Sequence, residues 1–357
     1  MKIGILTFHR TLNYGACLQA VATRVALEKL GHEVRYVDYW PDYHSMKYEA
    51  FSLKSLKYLR IPGGYGYIID SIKHYKYKKE RINNFKPFFE KYIYPYCSNV
   101  REEFDVIVYG SDQIWRKHSG IGDYNPVYFG DNNFKTKSHI AYSASMGKLP
   151  SSDRDKEKVK KLVAHLDKIA VREENLKELL QSLGYDNIQV TLDPTLLLEK
   201  KEWEDIMPSK SLVHFKYMLL YSIGISPFDI QKVKQYAKEH ECELVALTGT
   251  AAQESTKYLY TTEGPCEFID MIKNAECVFT SSFHGLVFSI IFEKEFFASY
   301  PQNSNRAETL LNSVCIKNRL LAPHSDIPSL PSLDYARVKE NLCTLRNESL
   351  EYLKAIK

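Results

Sequence analysis

Two successive series of strand and helix signals, parted by a charged polar stretch, predict an α/β protein of two Rossmann-like domains facing each other across a cleft. The first series opens with the apolar run Lys2 to Thr7, a helix and a second strand. The second begins afresh at Met218 to Ile223. Between them Lys200 to Phe215, rich in charge and holding Pro208, is the expected linker. Alternation of this kind makes parallel sheets, because a parallel neighbour needs a crossover long enough to hold a helix. The expected division is an N-terminal domain over 1–205, a C-terminal domain over 206–330 and a terminal helix over 331–357.

Within the first series, Phe8 to Gly15 is a loop. Ala16 to Leu30 is a helix stopped by Gly31, and Glu33 to Asp38 is the next strand. Phe104 to Tyr109 and Ser138 to Ser143 add strands. Asp153 to Asp167 places Val159, Leu162, Val163 and Leu166 on one helical face. The strand Lys168 to Val171, a helix from Asn175 to Leu183 and the strand Ile188 to Leu192 extend the alternation. The second series continues with a helix from Phe228 to His240, a strand from Glu243 to Leu247 and a helix from Cys266 to Asn274. A strand at Cys277 to Phe279, a buried helix at Leu286 to Phe292 and a strand at Phe296 to Tyr300 close the set.

Composition narrows the class. With 357 residues, 44% of them hydrophobic, the chain can fill two cores. A net charge of +4 is too mild to argue for nucleic acid. The 7 cysteines form no Cys-x-x-Cys pair, and several sit in apolar runs, so they are expected as thiols in a reducing compartment. Lys2 to Thr7 is too short for a signal peptide, and no run of about 18 apolar residues would cross a bilayer. The expected location is the cytoplasm.

One segment is unusual. Residues 43–96 hold 11 Lys and Arg against 4 Asp and Glu, interleaved with Tyr75, Tyr77, Phe85, Phe88, Phe89, Tyr92, Tyr94 and Tyr96. Either this is a helical insertion packing its aromatic face, or it is a surface for an anionic acceptor such as a lipid-linked sugar diphosphate.

The chemistry-bearing residues cluster at strand ends. In Cys277-Val278-Phe279-Thr280-Ser281-Ser282-Phe283-His284-Gly285, a buried strand gives way to a helix. His284 thus lies where unpaired N–H groups and the helix dipole favour anions. It is either a structural histidine at the strand end or a proton-transfer group. Arg172 follows another strand and could pair with Glu173 or Glu174, or reach the cleft. Arg306 is either a helix N-terminal surface residue or a second anion ligand. Asp193, before Pro194, is best taken as a structural cap. No Gly-x-Gly-x-x-Gly or Walker pattern is present, so NAD and ATP are not expected, and no His and Cys spacing suggests zinc.

Several of these segments, in order, carry a resemblance. They are Asn13-Tyr14-Gly15-Ala16, Gly110-Ser111-Asp112-Gln113-Ile114-Trp115, Tyr142-Ser143-Ala144-Ser145-Met146-Gly147, Val171-Arg172-Glu173-Glu174, Asp193-Pro194-Thr195 and His284-Gly285. Together they resemble the polysaccharide pyruvyl transferase family, over Lys2 to about Leu321. Many members have Arg two residues before the motif His, where this chain has Ser282. The resemblance implies a GT-B-like fold, with the helix from Asp334 crossing back to the first domain. It also implies transfer of a pyruvyl group from phosphoenolpyruvate to a hydroxyl pair of a sugar, as a ketal, in a capsule or exopolysaccharide precursor.

That chemistry implies roles. His284 would move protons and Asp112 would orient or deprotonate a hydroxyl. Arg172, Arg306, Ser282 and the N–H groups around Gly285 would hold the donor. Asn13, Gly15 and Ser111 would meet the acceptor. Neither a metal nor a cofactor is expected beyond phosphoenolpyruvate as donor substrate. The expected partners are a sugar or lipid-linked oligosaccharide and, peripherally, the inner face of the membrane, with no nucleic acid. The alternatives are a GT-B nucleotide-sugar glycosyltransferase and a non-catalytic sugar-binding relative.

Overall fold

The computed structural model describes residues 1–60, 63–99, 102–118, 121–207, 211–224, 226–248, 256–302 and 304–356. Two wholly parallel six-stranded sheets, each with surrounding helices, form the Rossmann-like pair that the strand and helix series predicts. The first contains β1 (Lys2–Leu6), β2 (Glu33–Tyr36), β3 (Phe104–Tyr109), β4 (Thr136–Ala144), β5 (Lys168–Val171) and β6 (Ile188–Val190), in the order β2-β1-β3-β4-β5-β6. The second contains β7 (Tyr217–Ser222), β8 (Glu243–Thr248), β9 (Tyr258–Tyr260), β10 (Cys277–Thr280), β11 (Glu295–Ser299) and β12 (Leu320–Leu321), in the order β12-β11-β10-β7-β8-β9. Every residue of β7 and β10 is buried, as befits strands covered on both faces.

The helices that matter below are α1 (Tyr14–Lys29), α2 (Asp42–Tyr48), α3 (Gly64–Lys73) and α4 (Tyr75–Tyr92), all before β3. After β4 come α5 (Asp153–Val163), α6 (Glu174–Ser182) and α7 (Lys200–Ile206). The second half adds α8 (Ile230–Glu239), α9 (Pro265–Asn274), α10 (Phe283–Ile291), α11 (Asn305–Ser313) and α12 (Tyr335–Lys354). Helix α10 is buried along its whole length, as its mainly apolar sequence, interrupted by His284 and Ser289, leads one to expect.

Two details depart from the expected outline, and a third, the returning terminal helix, agrees with it. The charged stretch from Lys200 opens as helix α7, not as a free linker. Glu199 and Glu202 form a capping box there, and Trp203 is fully buried, its indole donating to the Thr195 carbonyl at 3.0 Å. Pro208 lies outside the described residues. The edge strands β9 and β12 are too short to carry a periodic signal. Helix α12 returns to the first sheet. Its Tyr352 hydroxyl donates to the Ala141 carbonyl at 2.8 Å, and its Ser349 hydroxyl accepts from the Leu192 N–H at 3.0 Å.

The insertion between β2 and β3 packs its aromatic face inward. Phe85, Phe88, Phe89 and Tyr92 of α4 are buried, while Tyr75 and Tyr94 stay exposed. Tyr14, the first residue of α1, lies between Phe85 and Phe268 of α9, with ring centroids 5.4 and 4.6 Å away. Arg81 donates to the Leu12 and Thr261 carbonyls, each at 3.1 Å, and Asn84 donates to the Thr262 carbonyl at 2.9 Å. Helix α4 is therefore a strut joining the two sheet layers.

If so, Phe85→Ala should cost about 3–5 kcal/mol, the usual loss for a truncated core aromatic. Tyr75→Ala, at an exposed position, should leave the melting temperature nearly unchanged. Thermal unfolding of both variants checks this pair.

Candidate functional site

Each sheet reverses its direction of growth once. In the first, β2 lies on one side of β1 and β3 on the other; in the second, β8 and β10 flank β7 in the same way. At such a reversal the chain segments leaving neighbouring strands part and open a crevice at the strands' carboxyl ends, where α/β sheets bind ligands. The loop after β1 leads to Asn13, the loop after β3 carries Ser111 and Asp112, and β10 leads into Ser282 and His284. The two crevices meet, because His284 rests on Gly15. A methyl group at Gly15 would lie 1.9 Å from His284 Nδ1.

Asp193 is the centre of the buried polar network. Its Oδ1 accepts from the Thr195 N–H at 3.0 Å and the Thr195 hydroxyl at 2.6 Å. Its Oδ2 lies 3.0 Å from Arg172 Nη2 and 3.5 Å from His284 Nε2. Burial alone would raise this carboxyl. The Arg172 charge, His284 and the hydrogen bonds outweigh it and hold the group well below the usual carboxylate range. The carboxylate is thus ionised, and it links a side chain from the end of β5 to one on α10.

Arg172, buried to 3% exposure, also donates from Nη2 to the Ser111 hydroxyl. Its Nη1 and Nε are buried without a hydrogen-bond partner among the described residues. The Arg172 and Arg306 guanidinium carbons lie 5.1 and 5.2 Å from the Phe283 ring centre. Two cations from separate sheet layers therefore share one aromatic ring. Burial, then the neighbouring Arg172 charge, lower the Arg306 pKa, with Glu173 and Asp112 acting the other way. Glu173 is buried too. The Ser145 hydroxyl donates to its Oε1, Oε2 has no hydrogen-bond partner among the described residues, and burial raises its pKa against the pull of both arginines.

The structure thus brings His284, Arg172 and Arg306 together, with the Asp112 carboxylate close enough to act on Arg306. Asp112 is half-buried and has a left-handed backbone, φ 69°. Two assignments change, those of Gly15 and Ser111, while Ser282 and Asn13 act as helix caps. Gly15 cannot line a sugar subsite, since the imidazole covers it; its lack of a side chain makes room for His284. Ser111 is fully buried, and its hydroxyl donates to the Ser143 carbonyl at 2.9 Å while accepting from Arg172, so it positions the arginine and does not face an acceptor. Ser282 caps α10, its oxygen taking the Gly285 N–H at 3.4 Å while its O–H remains a donor. Asn13 remains exposed, but its Oδ1 caps α1 through the Ala16 N–H at 3.1 Å.

Three participants escaped the sequence reading. Asp193 does cap a turn, but one oxygen serves the cap and the other serves the site. Glu173 stands in the sequence only as a partner for Arg172, and Phe283 only as a member of the strand-to-helix segment around His284. A carboxylate two residues after the apolar run ending at Val171, next to Arg172, was the available signal for Glu173. Among the described residues, no group of three or more His, Cys, Asp or Glu is placed to hold a metal, and no helix is long and apolar enough to cross a membrane.

Two substitutions probe this network. Asp193→Asn should cost about 3–5 kcal/mol, because it leaves the buried Arg172 charge uncompensated. A depressed carboxyl pKa contributes stability in full above the unfolded value of about 3.9 and loses it as pH falls. Wild-type stability should therefore decline on acidification below about pH 4, and the Asn variant should lack that component. Denaturant unfolding at several pH values measures both. Gly15→Ala should push the imidazole aside and lower activity by about 10²-fold, the scale of an ångström misplacement.

The fold and the site can be set beside known proteins. Among solved structures, a putative UDP-N-acetylglucosamine 2-epimerase from Listeria monocytogenes aligns over 100% of this chain and 91% of its own, with 11% identity and a TM-score of 0.48. The S. aureus MnaA structure with UDP covers 99% and 90%, at 13% identity and a TM-score of 0.48. The E. coli heptosyltransferase WaaC with ADP covers 97% and 100%, at 10% identity and a TM-score of 0.41. No curated protein sequence matches the chain. The polysaccharide pyruvyl transferase model matches residues 13–303, a span that includes Gly15, Asp112, Arg172, Asp193 and His284. The chain therefore belongs to the polysaccharide pyruvyl transferase family and is a transferase.

Proposed function

We propose that the chain moves a pyruvyl group from phosphoenolpyruvate to two hydroxyls of one sugar in a surface-glycan precursor. The observation that carries this reading is the pair of guanidinium groups at Phe283, beside the Asp193–His284 pair. Phosphoenolpyruvate presents a carboxylate and a phosphate, and guanidinium forks bind both groups bidentately. Arg172 has one nitrogen committed to Asp193 and Ser111, and Nη1 and Nε remain for an anion. Arg306 supplies the second cation. The first turns of α1 and α10 converge on His284, and their dipoles add positive potential.

In the transfer, C3 of the enol takes a proton and C2 becomes electron-poor. A sugar hydroxyl adds to C2 and gives up its proton. The second hydroxyl then displaces phosphate from C2, losing its own proton and closing the ketal. The carboxylate of Asp193 favours a proton on His284 Nε2, which leaves Nδ1 to exchange protons with the reactants. Asp112, half-buried at the end of β3, accepts from an acceptor hydroxyl. The departing phosphate is neutralised by the arginines, whose charge is already desolvated.

His284→Ala should lower turnover by about 10²–10⁴-fold, the range for a lost general acid or base, without a matching loss of stability. Unchanged turnover would return His284 to a structural role. A charge-assisted contact is worth about 1.5–3 kcal/mol, so Arg306→Ala should raise the KM for phosphoenolpyruvate at least about tenfold. Arg306→Lys should recover only part of this, because an ammonium lacks the planar fork. Steady-state phosphate release with varied phosphoenolpyruvate reads all three variants.

A further inference from the structure

We propose that the hairpin made by the 3₁₀ helix Leu53–Arg60 and α3 docks the protein onto an anionic phospholipid bilayer. This goes beyond the transfer reaction and uses none of its residues.

The 3₁₀ helix has three residues per turn, so positions three apart stack in rows. One row is Ser55 and Tyr58, both buried against the protein. The second row is Leu53, Leu56 and Leu59, all exposed, Leu53 to 82%. The third row is Lys54, Lys57 and Arg60, all exposed. Helix α3 repeats the arrangement at its own period. Gly64, Ile68 and Ser71 are buried, whereas Tyr65, Ile69 and Ile72 form an exposed stripe, Tyr65 at 71%. The two arms touch through backbone, since a methyl at Gly64 would lie 1.7 Å from the Tyr58 carbonyl oxygen. Tyr58 and Tyr67 add an edge-on ring contact at 5.5 Å. Burial is therefore already satisfied on the inner rows, and the leucine row and the Tyr65 stripe are surplus to folding.

Charge selects the occupant. From residue 53 to 79 the chain carries Lys54, Lys57, Arg60, Lys73, Lys76, Lys78 and Lys79 against Asp70 alone. Lys78 pairs with Asp70 and Lys57 with Asp42, each at 3.0 Å. Lys54, Arg60, Lys73 and Lys76 are exposed and make no ion pair with a described residue. Apolar rows bordered by lysines fit the boundary between acyl chains and anionic headgroups. Lysine is depleted where proteins meet one another, which disfavours a second protein as the occupant.

The segments flanking the hairpin reach Asp112 on one side and the second sheet layer on the other. Just before it, Lys47 and Tyr48 of α2 lie within the electrostatic reach of Asp112 and Arg116. Just after it, α4 sends Tyr77 and Arg81 to the Thr261 carbonyl, at 3.2 and 3.1 Å. A bilayer under the hairpin would present a membrane-borne acceptor beside the cleft.

Vesicle flotation of the full chain tests this, with phosphatidylcholine vesicles and with vesicles that also contain phosphatidylglycerol. The wild type should float with the phosphatidylglycerol vesicles and not with phosphatidylcholine alone, and added salt should release it. The combined Leu53→Ser, Leu56→Ser and Tyr65→Ser variant should partition at least about tenfold less. Lys54→Glu, Arg60→Glu and Lys73→Glu together should do the same, at about fivefold per cation. All six side chains are exposed, so both variants should keep the wild-type melting temperature and phosphoenolpyruvate affinity. Absence of flotation with phosphatidylglycerol, or equal flotation of the variants, overturns the proposal. So does a wild-type dimer in light scattering that falls apart in the serine variant, which would assign the face to a second copy. Donor binding is read separately, so failure of the transfer reading would leave the vesicle result standing.

Discussion

The Asp193 carboxylate is the interaction on which the site depends. A buried carboxylate is tolerable only when its charge is compensated and its lone pairs are occupied. Here Thr195 takes one oxygen, while Arg172 and His284 face the other. The same group thereby orients the imidazole, holds the guanidinium in place and couples the first sheet to α10 of the second. Ser111 completes the arrangement by accepting from the same Arg172 nitrogen that meets Asp193. Arg172 Nη1 and Nε are buried without a hydrogen-bond partner among the described residues, and their guanidinium lies over Phe283.

Two adjacent residues at the start of α1 fix how the layers meet. Tyr14 fills the space between Phe85 and Phe268, and its hydroxyl donates to the Glu263 carbonyl at 2.8 Å. Gly15 then lets the His284 ring come against the α1 backbone. Packing and chemistry are thus linked across one peptide bond. A shift of the Tyr14 anchor would move the surface on which the catalytic candidate rests, and the α4 strut, through Arg81, guards against that shift.

The sheet architecture was legible because buried parallel strands leave unbroken apolar runs, as in Cys277 to Phe279 and Met218 to Leu220. Helix ends were legible where glycine or a capping side chain marks them, as at Gly31. The pairing of His284 with Arg172 and Arg306 followed from their shared place after strands. What stayed hidden depends on contacts between distant segments. Nothing local to Asp193 tells that its second oxygen meets residues 21 positions before and 91 after. Gly15 resembles a phosphate-loop glycine in sequence, and only its neighbour across the cleft reveals a packing role. Trp203 pulled a charged stretch into a helix by burying itself, an effect of tertiary packing that composition conceals. Family motifs found the neighbourhood, and the geometry then separated groups that face a ligand from groups that hold those groups still.

The central claim is that the two guanidinium groups beside the Asp193–His284 pair form a site for phosphoenolpyruvate. Calorimetric titration of the wild-type protein with phosphoenolpyruvate, and separately with UDP, tests it most directly. The account predicts saturable binding of phosphoenolpyruvate and a rise in stability of about 2.7 kcal/mol at a hundred times its Kd. Saturable binding of UDP, with no heat and no stabilisation from phosphoenolpyruvate, would contradict it.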